Sequence, residues 1–109
     1  MNKPRLKQED YKKLQAMARF QGFQVEFLGN PMEGCDAASF LSQNTEIFGR
    51  EIYKFSALDK SPFILDIGSN IGLSSIFWLT RNKDTVVHCY EPSTENYEKL
   101  KKNLRDFDG

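Results

Sequence analysis

Residues 63–107 constrain this chain more than any other stretch. Phe63-Ile-Leu-Asp-Ile67 is an almost unbroken apolar run, the pattern of a strand buried on both faces of a parallel sheet. Gly68-Ser-Asn-Ile-Gly72 interrupts it with two glycines, which marks a turn. Leu73, Ile76, Phe77 and Thr80 then recur at helical spacing and predict a helix over 73–82. Thr85-Val-Val-His-Cys-Tyr90 is rich in β-formers and reads as a second strand. Pro92 and Ser93 open another helix, with Ser93 as N-cap and Tyr97, Leu100, Leu104 and Phe107 as its apolar stripe. Strand, helix, strand, helix in this order predicts two parallel strands joined by a right-handed crossover. That is the opening of a doubly wound α/β sheet.

The preceding residues, 1–60, read as a helical and short-strand lead-in to this unit at 61–109. Tyr11, Leu14, Met17 and Ala18 predict an amphipathic helix within the first 22 residues, with Gly22 as its stop. Gln24 to Leu28 alternates as a short strand, and Gly29-Asn30-Pro31 is expected to break it. Phe40, Leu41, Ile47 and Phe48 fall in a helical stretch from Asp36 to Phe48 that Asp36 or Ser39 can cap. Glu51-Ile-Tyr-Lys-Phe55 alternates over five residues and predicts another short strand.

The charge balance narrows the function. Lys plus Arg and Asp plus Glu both number 15, so the whole chain is neither a basic nucleic-acid coat nor an acidic tail. Residues 1–24 are locally basic, but aromatic and basic residues do not alternate regularly along them, and a solvated helix face is the expectation rather than a nucleic-acid surface. Two cysteines, Cys35 and Cys89, make no disulfide framework. No apolar run has the length of a membrane span, and the charged start lacks a signal-peptide core. These features predict one cytoplasmic α/β domain of 109 residues.

In such sheets a ligand lies beyond the carboxyl ends of the strands, beside the first strand-to-helix turn. Asp66 is near the end of the first strand, Gly68 and Gly72 bracket the turn, and Glu91 ends the second strand. A glycine turn with a carboxylate at that distance implies a ligand containing a ribose diol. The dinucleotide fingerprint G-x-G-x-x-G is not met, because Asn70 stands where its second glycine lets backbone reach a pyrophosphate. No G-x-x-x-x-G-K-[ST] phosphate loop is present either. A carboxylate beside the turn repels a pyrophosphate and suits a cation. S-adenosylmethionine, with an ammonium, a sulfonium and no phosphate, is therefore favoured over NAD or ATP.

Other polar residues fit plainer roles. His88 sits mid-strand, as a packed or solvent-facing histidine. Cys89, its neighbour, points to the opposite sheet face, so the two make no nucleophile–base pair. Trp78 reads as helix surface or packing, and no metal-ligand spacing appears.

The run Phe63 to Ser75 followed by Tyr90-Glu-Pro92 resembles the first two motifs of FkbM-type S-adenosylmethionine-dependent methyltransferases, whose turn commonly reads D-x-G-A-N-x-G with a following E-P. Ser69 replaces the usual alanine, and Asn44-Thr-Glu-Ile-Phe-Gly-Arg-Glu-Ile-Tyr-Lys-Phe55 is similar to the lead-in of some members. The resemblance implies a Rossmann-like methyltransferase fold, of which this chain carries the start. By it, Asp66 faces the methionine ammonium through water, and Gly68, Ser69, Asn70 and Gly72 line the methionine and ribose. Glu91 binds the ribose hydroxyls, and Pro92 and Ser93 approach the adenine edge. The implied acceptor is a hydroxyl of a sugar or other small metabolite.

Family members have a larger sheet, on roughly 200 residues or more, so the acceptor pocket and any catalytic base are expected outside this chain. Two alternatives remain open from the residues: a nicotinamide-dinucleotide-binding oxidoreductase fragment, and a non-catalytic remnant acting as an interaction module. The open flank of the first strand predicts self-association or a need for a further C-terminal segment.

Overall fold

The computed structural model describes residues 4–56, 60–82 and 84–107. The element order is α1 (Gln8–Ala16), β1 (Phe23–Phe27), β2 (Asn30–Gly34), α2 (Ala37–Gln43), a π-helical turn (Asn44–Gly49), β3 (Phe63–Ile67), α3 (Leu73–Arg81), β4 (Val86–Tyr90), α4 (Thr94–Asn103) and a 3-10 turn (Arg105–Phe107).

The second half follows the sequence closely. β3 and β4 pair in parallel, from Phe63 beside Val86 to Ile67 beside Tyr90. The apolar helix α3 connects them and buries Leu73 through Phe77, while Thr80, expected on the same stripe, is exposed. Ser93 caps α4 by accepting the Asn96 N–H at 3.3 Å. Glu95 in the first turn of α4 and Lys101 and Lys102 in its last complement the helix dipole. Leu100 is buried and Leu104 and Phe107 pack on the core, whereas Tyr97 is exposed.

One expectation for β3 fails. Phe63, Leu65 and Ile67 are exposed and only Asp66 is buried, so the strand is covered on one face. Alternate side chains of a strand point to opposite faces, and α3 shields the Asp66 face alone. Among the described residues nothing lies over the other.

The lead-in departs further. α1 ends at Ala16, well before Gly22, and leaves Ala18 and Tyr11 exposed, with Leu14 as its buried anchor. β1 does not end the local sheet. Leu28 and Gly29, both at positive φ (53° and 83°), form the two-residue turn that suits a hairpin, and β2 returns antiparallel with Glu26 opposite Pro31. Pro31 is tolerated because β2 is an edge strand. Asp36 caps α2 as expected, through the Ser39 N–H.

The strand expected at 51–55 is not formed. Glu51 adopts φ 52°, and turn bonds from Ile52 N–H to the Glu46 carbonyl and from Lys54 N–H to the Glu51 carbonyl replace sheet pairing. Five alternating residues without a neighbouring strand have nothing to hold them extended.

One apolar cluster joins lead-in and α/β unit. A chain of ring contacts runs Phe23–Phe40–Phe27–Phe48–Phe77, with centroids 5.2 to 5.5 Å apart, the tilted and edge-on spacing that aromatic rings prefer. Buried Asn103 clasps the two halves together. Its Oδ1 accepts the Glu33 N–H at 2.8 Å, and its Nδ2 donates to the carbonyls of Glu33 and Ile71, both at 2.8 Å. The amide thereby supplies β2 with the pairing a further peptide group would give.

Candidate functional site

The residues singled out in the sequence converge where β3 and β4 end. The N–H groups of Gly68 and Ser69 both donate to the Tyr90 carbonyl, at 2.8 and 3.1 Å, which ties the turn to the neighbouring strand. Ser69 Oγ donates to the Asp66 carbonyl at 2.7 Å, and Gly72 N–H to the Ser69 carbonyl at 3.0 Å. Gly68, Asn70 and Gly72 all have positive φ (82°, 55° and 111°).

The two glycines do different jobs. A Cβ on Gly72 would come within 3.1 Å of Leu100 Cδ1, so that glycine permits close packing of the turn on α4. A Cβ on Gly68 would meet nothing within 4 Å. Its backbone faces open space at the strand ends, where a ligand can approach the main chain directly.

Glu91 completes the arrangement. Its Oε1 accepts the Asn70 N–H at 2.8 Å and its Oε2 the Ser93 N–H at 3.0 Å. One carboxylate thus joins the turn to the start of α4. An ionised carboxylate has about four acceptor directions, so each oxygen retains capacity for another donor.

Asp66 sits apart from this edge. Its Oδ2 accepts hydrogen bonds from Ser74 Oγ (2.7 Å) and Ser75 Oγ (2.6 Å), inside the first turn of α3. Two hydroxyls and the positive end of a helix satisfy a carboxylate that is only 7% exposed. The two candidate carboxylates are therefore held differently, Asp66 behind the turn and Glu91 at its rim.

A cavity of about 260 Å³ lies beside Asn70, Ile71, Ser93 and Asn96. Its other wall comes from the lead-in, including Phe20, Cys35, Ser39 and Gln43. Cofactor pockets run from about 300 Å³ upward, so this one accommodates part of a nucleoside-sized ligand. No local pattern in the sequence points from the lead-in to this cavity. Ser39 was legible as a cap candidate, but its approach to a turn some thirty residues away is set by tertiary packing and has no local signature. Burial and the adjacent Glu95 carboxylate push the Cys35 thiol up from its ordinary pKa, the opposite of the lowering that marks reactive cysteines.

His88 and Cys89 point to opposite faces. The His88 ring packs on Phe63 at 4.7 Å, and Cys89 Sγ lies 3.0 Å from Ser75 Oγ on the α3 side. Trp78 Nε1 donates to the Tyr53 carbonyl at 3.1 Å. Among the described residues no group of acidic, histidine and cysteine side chains could hold a metal ion. Nor is any helix there long and apolar enough to cross a membrane.

The chain is similar to a methyltransferase, sdnD, of Sordaria araneosa, with 36% identity over 59 residues. The match covers 54% of this chain and 23% of that protein, so the chain spans about a quarter of its relative's length. No protein-family model matches, and no solved structure does. The comparison supports a methyltransferase relationship for an α/β chain with a small parallel sheet.

Proposed function

We propose that this chain is the cofactor-binding part of an S-adenosylmethionine-dependent methyltransferase of FkbM type. The observation that carries the reading is the bridge from Glu91 to the Asn70 N–H, which sets a carboxylate with spare acceptor capacity beside a glycine turn open to ligand. The partial likeness to a methyltransferase supports it independently.

In this reading the open backbone at Gly68, with Ser69 and Asn70, lines the methionine and ribose, while Gly72 seats the turn on α4. Glu91 accepts from the ribose hydroxyls, and Pro92 and Ser93 border the adenine. Asp66 acts from behind the turn, offering negative charge to the ammonium through water. The residues fit a cationic nucleoside better than a phosphorylated one, because the turn bears a carboxylate on either side and no lysine or arginine.

When bound, S-adenosylmethionine supplies a methyl group on sulfonium for in-line displacement by an acceptor oxygen. This chain's residues contribute binding and orientation to such a step. The proposed acceptor is a hydroxyl of a sugar or other small metabolite, a choice that rests on the family resemblance alone.

Calorimetric titration with S-adenosylmethionine, its demethylated product, NAD and ATP tests the ligand class. The sulfonium nucleoside and its product should bind in preference to the other two, and tighter binding of NAD would overturn the assignment.

A further inference from the structure

Three carboxamides, Gln43, Asn70 and Asn96, line the cavity between the turn and the lead-in. All three residues are half-buried, and their side-chain amides hydrogen-bond to none of the described residues. The buried amide of Asn103 shows the usual outcome, with both its ends taken. Among the described residues no lysine or arginine lines the cavity. Such a lining disfavours a phosphate and suits a neutral ring with donors and acceptors on its edge.

The lead-in wall carries a second peculiarity. Phe20 has φ 60°, a backbone conformation that is costly for a bulky side chain. Core packing does not account for it, since the residue is 82% exposed. Asp36 does. Its Oδ1 accepts the Phe20 N–H at 2.8 Å, and both its oxygens accept from Arg19 Nε at 3.0 Å. The Arg19 guanidinium in turn lies 4.9 Å from the centroid of the Phe20 ring. One ring face is thus covered by a cation that Asp36 fixes, and the exposure leaves the other open. Strain of this kind, with no burial gained from it, gathers at ligand sites.

We propose that the cavity takes the adenine base of the cofactor, with Phe20 as its stacking plate and Gln43 and Asn96 reading its hydrogen-bonding edge. A carboxamide offers a donor and an acceptor in one plane, the match to the amine and ring nitrogen of adenine. An aromatic ring serves the face of the base. Continuity supports the placement. Glu91 Oε2 accepts from the N–H of Ser93, which itself lines the cavity, so a ribose on Glu91 brings its base to the cavity. This placement rests on the reading of the ligand as S-adenosylmethionine and adds the lead-in to its site.

The test is calorimetric titration of the full chain and its variants with the demethylated product, S-adenosylhomocysteine. Phe20→Ala should weaken binding by about 5- to 150-fold, the range for loss of one base–aromatic stack. Phe20→Trp keeps an aromatic face and should bind as the native chain does. Gln43→Ala should weaken binding by about 2- to 12-fold, as expected for one neutral hydrogen bond. Phe55→Ala removes another exposed ring of the lead-in and should change nothing. A second measurement needs no variant: alkylation of Cys35, which lines the same cavity, followed by peptide mass spectrometry. Adenosine should slow it and methionine should not, while Cys89, beside Ser75, keeps one rate throughout. Native affinity in Phe20→Ala overturns the placement and leaves the ligand assignment standing. So does a Cys35 that adenosine fails to protect, or one slowed no more than Cys89. A native chain that binds no S-adenosylhomocysteine overturns the ligand assignment, and the placement falls with it.

Discussion

Glu91 accepts one backbone N–H on each carboxylate oxygen, so its removal affects two things at once: the proposed ligand contact and the tether between turn and α4. Glu91→Ala is expected to weaken binding of S-adenosylmethionine by about 1.5–3 kcal/mol, the range for hydrogen bonds to a charged acceptor. On the affinity scale this is roughly 10- to 150-fold. Glu91→Gln keeps an acceptor for one N–H and should lie between the variant and the native chain. His88→Ala should leave ligand affinity unchanged, since His88 packs on Phe63 on the outer sheet face. Titration calorimetry of the three variants ranks them, and a larger loss at His88 would move the site elsewhere. At this scale the sequence was informative where chemistry and position coincide. Glu91 and the glycines stand out by spacing, but nothing in the spacing distinguishes Gly68, which faces open space, from Gly72, which faces Leu100. Asp66 was legible as a carboxylate near a strand end. That two serines of the following helix would enclose it was not, because the helix could have begun one residue later.

Elements were legible where periodicity and partner were both local. β3, α3, β4 and α4 form a consecutive unit whose apolar pattern already contains its own packing. The hairpin is legible only in part: alternation marks β1, while Gly29-Asn30-Pro31, read as a break, instead turns the chain into the edge strand β2. The segment 51–55 shows the converse, an alternating pattern with no strand to pair with. Asp36 links two parts of the lead-in, capping α2 while binding the Arg19 guanidinium at 2.8 Å and accepting the Phe20 N–H at 2.8 Å. Its carboxyl is held well below the ordinary carboxylate range, chiefly by the Arg19 hydrogen bond and then by the Phe20 N–H and Ser39. A lowered folded-state pKa means that this stabilisation is complete above the unfolded value, about 3.9, and is lost as pH falls below it. Urea unfolding between about pH 6 and pH 3 should show stability dropping toward the acid end. Asp36→Asn should be less stable at neutral pH and should show a shallower acid slope. An unchanged slope would assign the acid sensitivity to other carboxylates, such as Glu51, which Arg81 also holds below its usual range.

The molecule as a whole is one core with a single-faced sheet on its flank. A transfer reaction needs walls on both sides of the reacting centre, and among the described residues the strand ends are walled by the turn, α4 and the lead-in. The 109-residue chain alone is therefore expected to transfer no methyl group. A labelled-methyl assay across sugar and small-metabolite hydroxyl acceptors checks this, and turnover that disappears on Asp66→Ala would refute it. The union of the two halves in one core was not readable from the sequence, because it depends on contacts between residues far apart in the chain. The longest-range hydrogen bonds among the described residues, the clasp of Asn103 on Glu33, span 70 residues, and that separation has a consequence in time. At a synthesis rate of about 5–20 residues per second, roughly 4–14 s pass between adding Glu33 and adding Asn103. During that interval β2 exists with its outer backbone groups unanswered, so the nascent chain is most exposed to mispairing and to chaperones before α4 has been made.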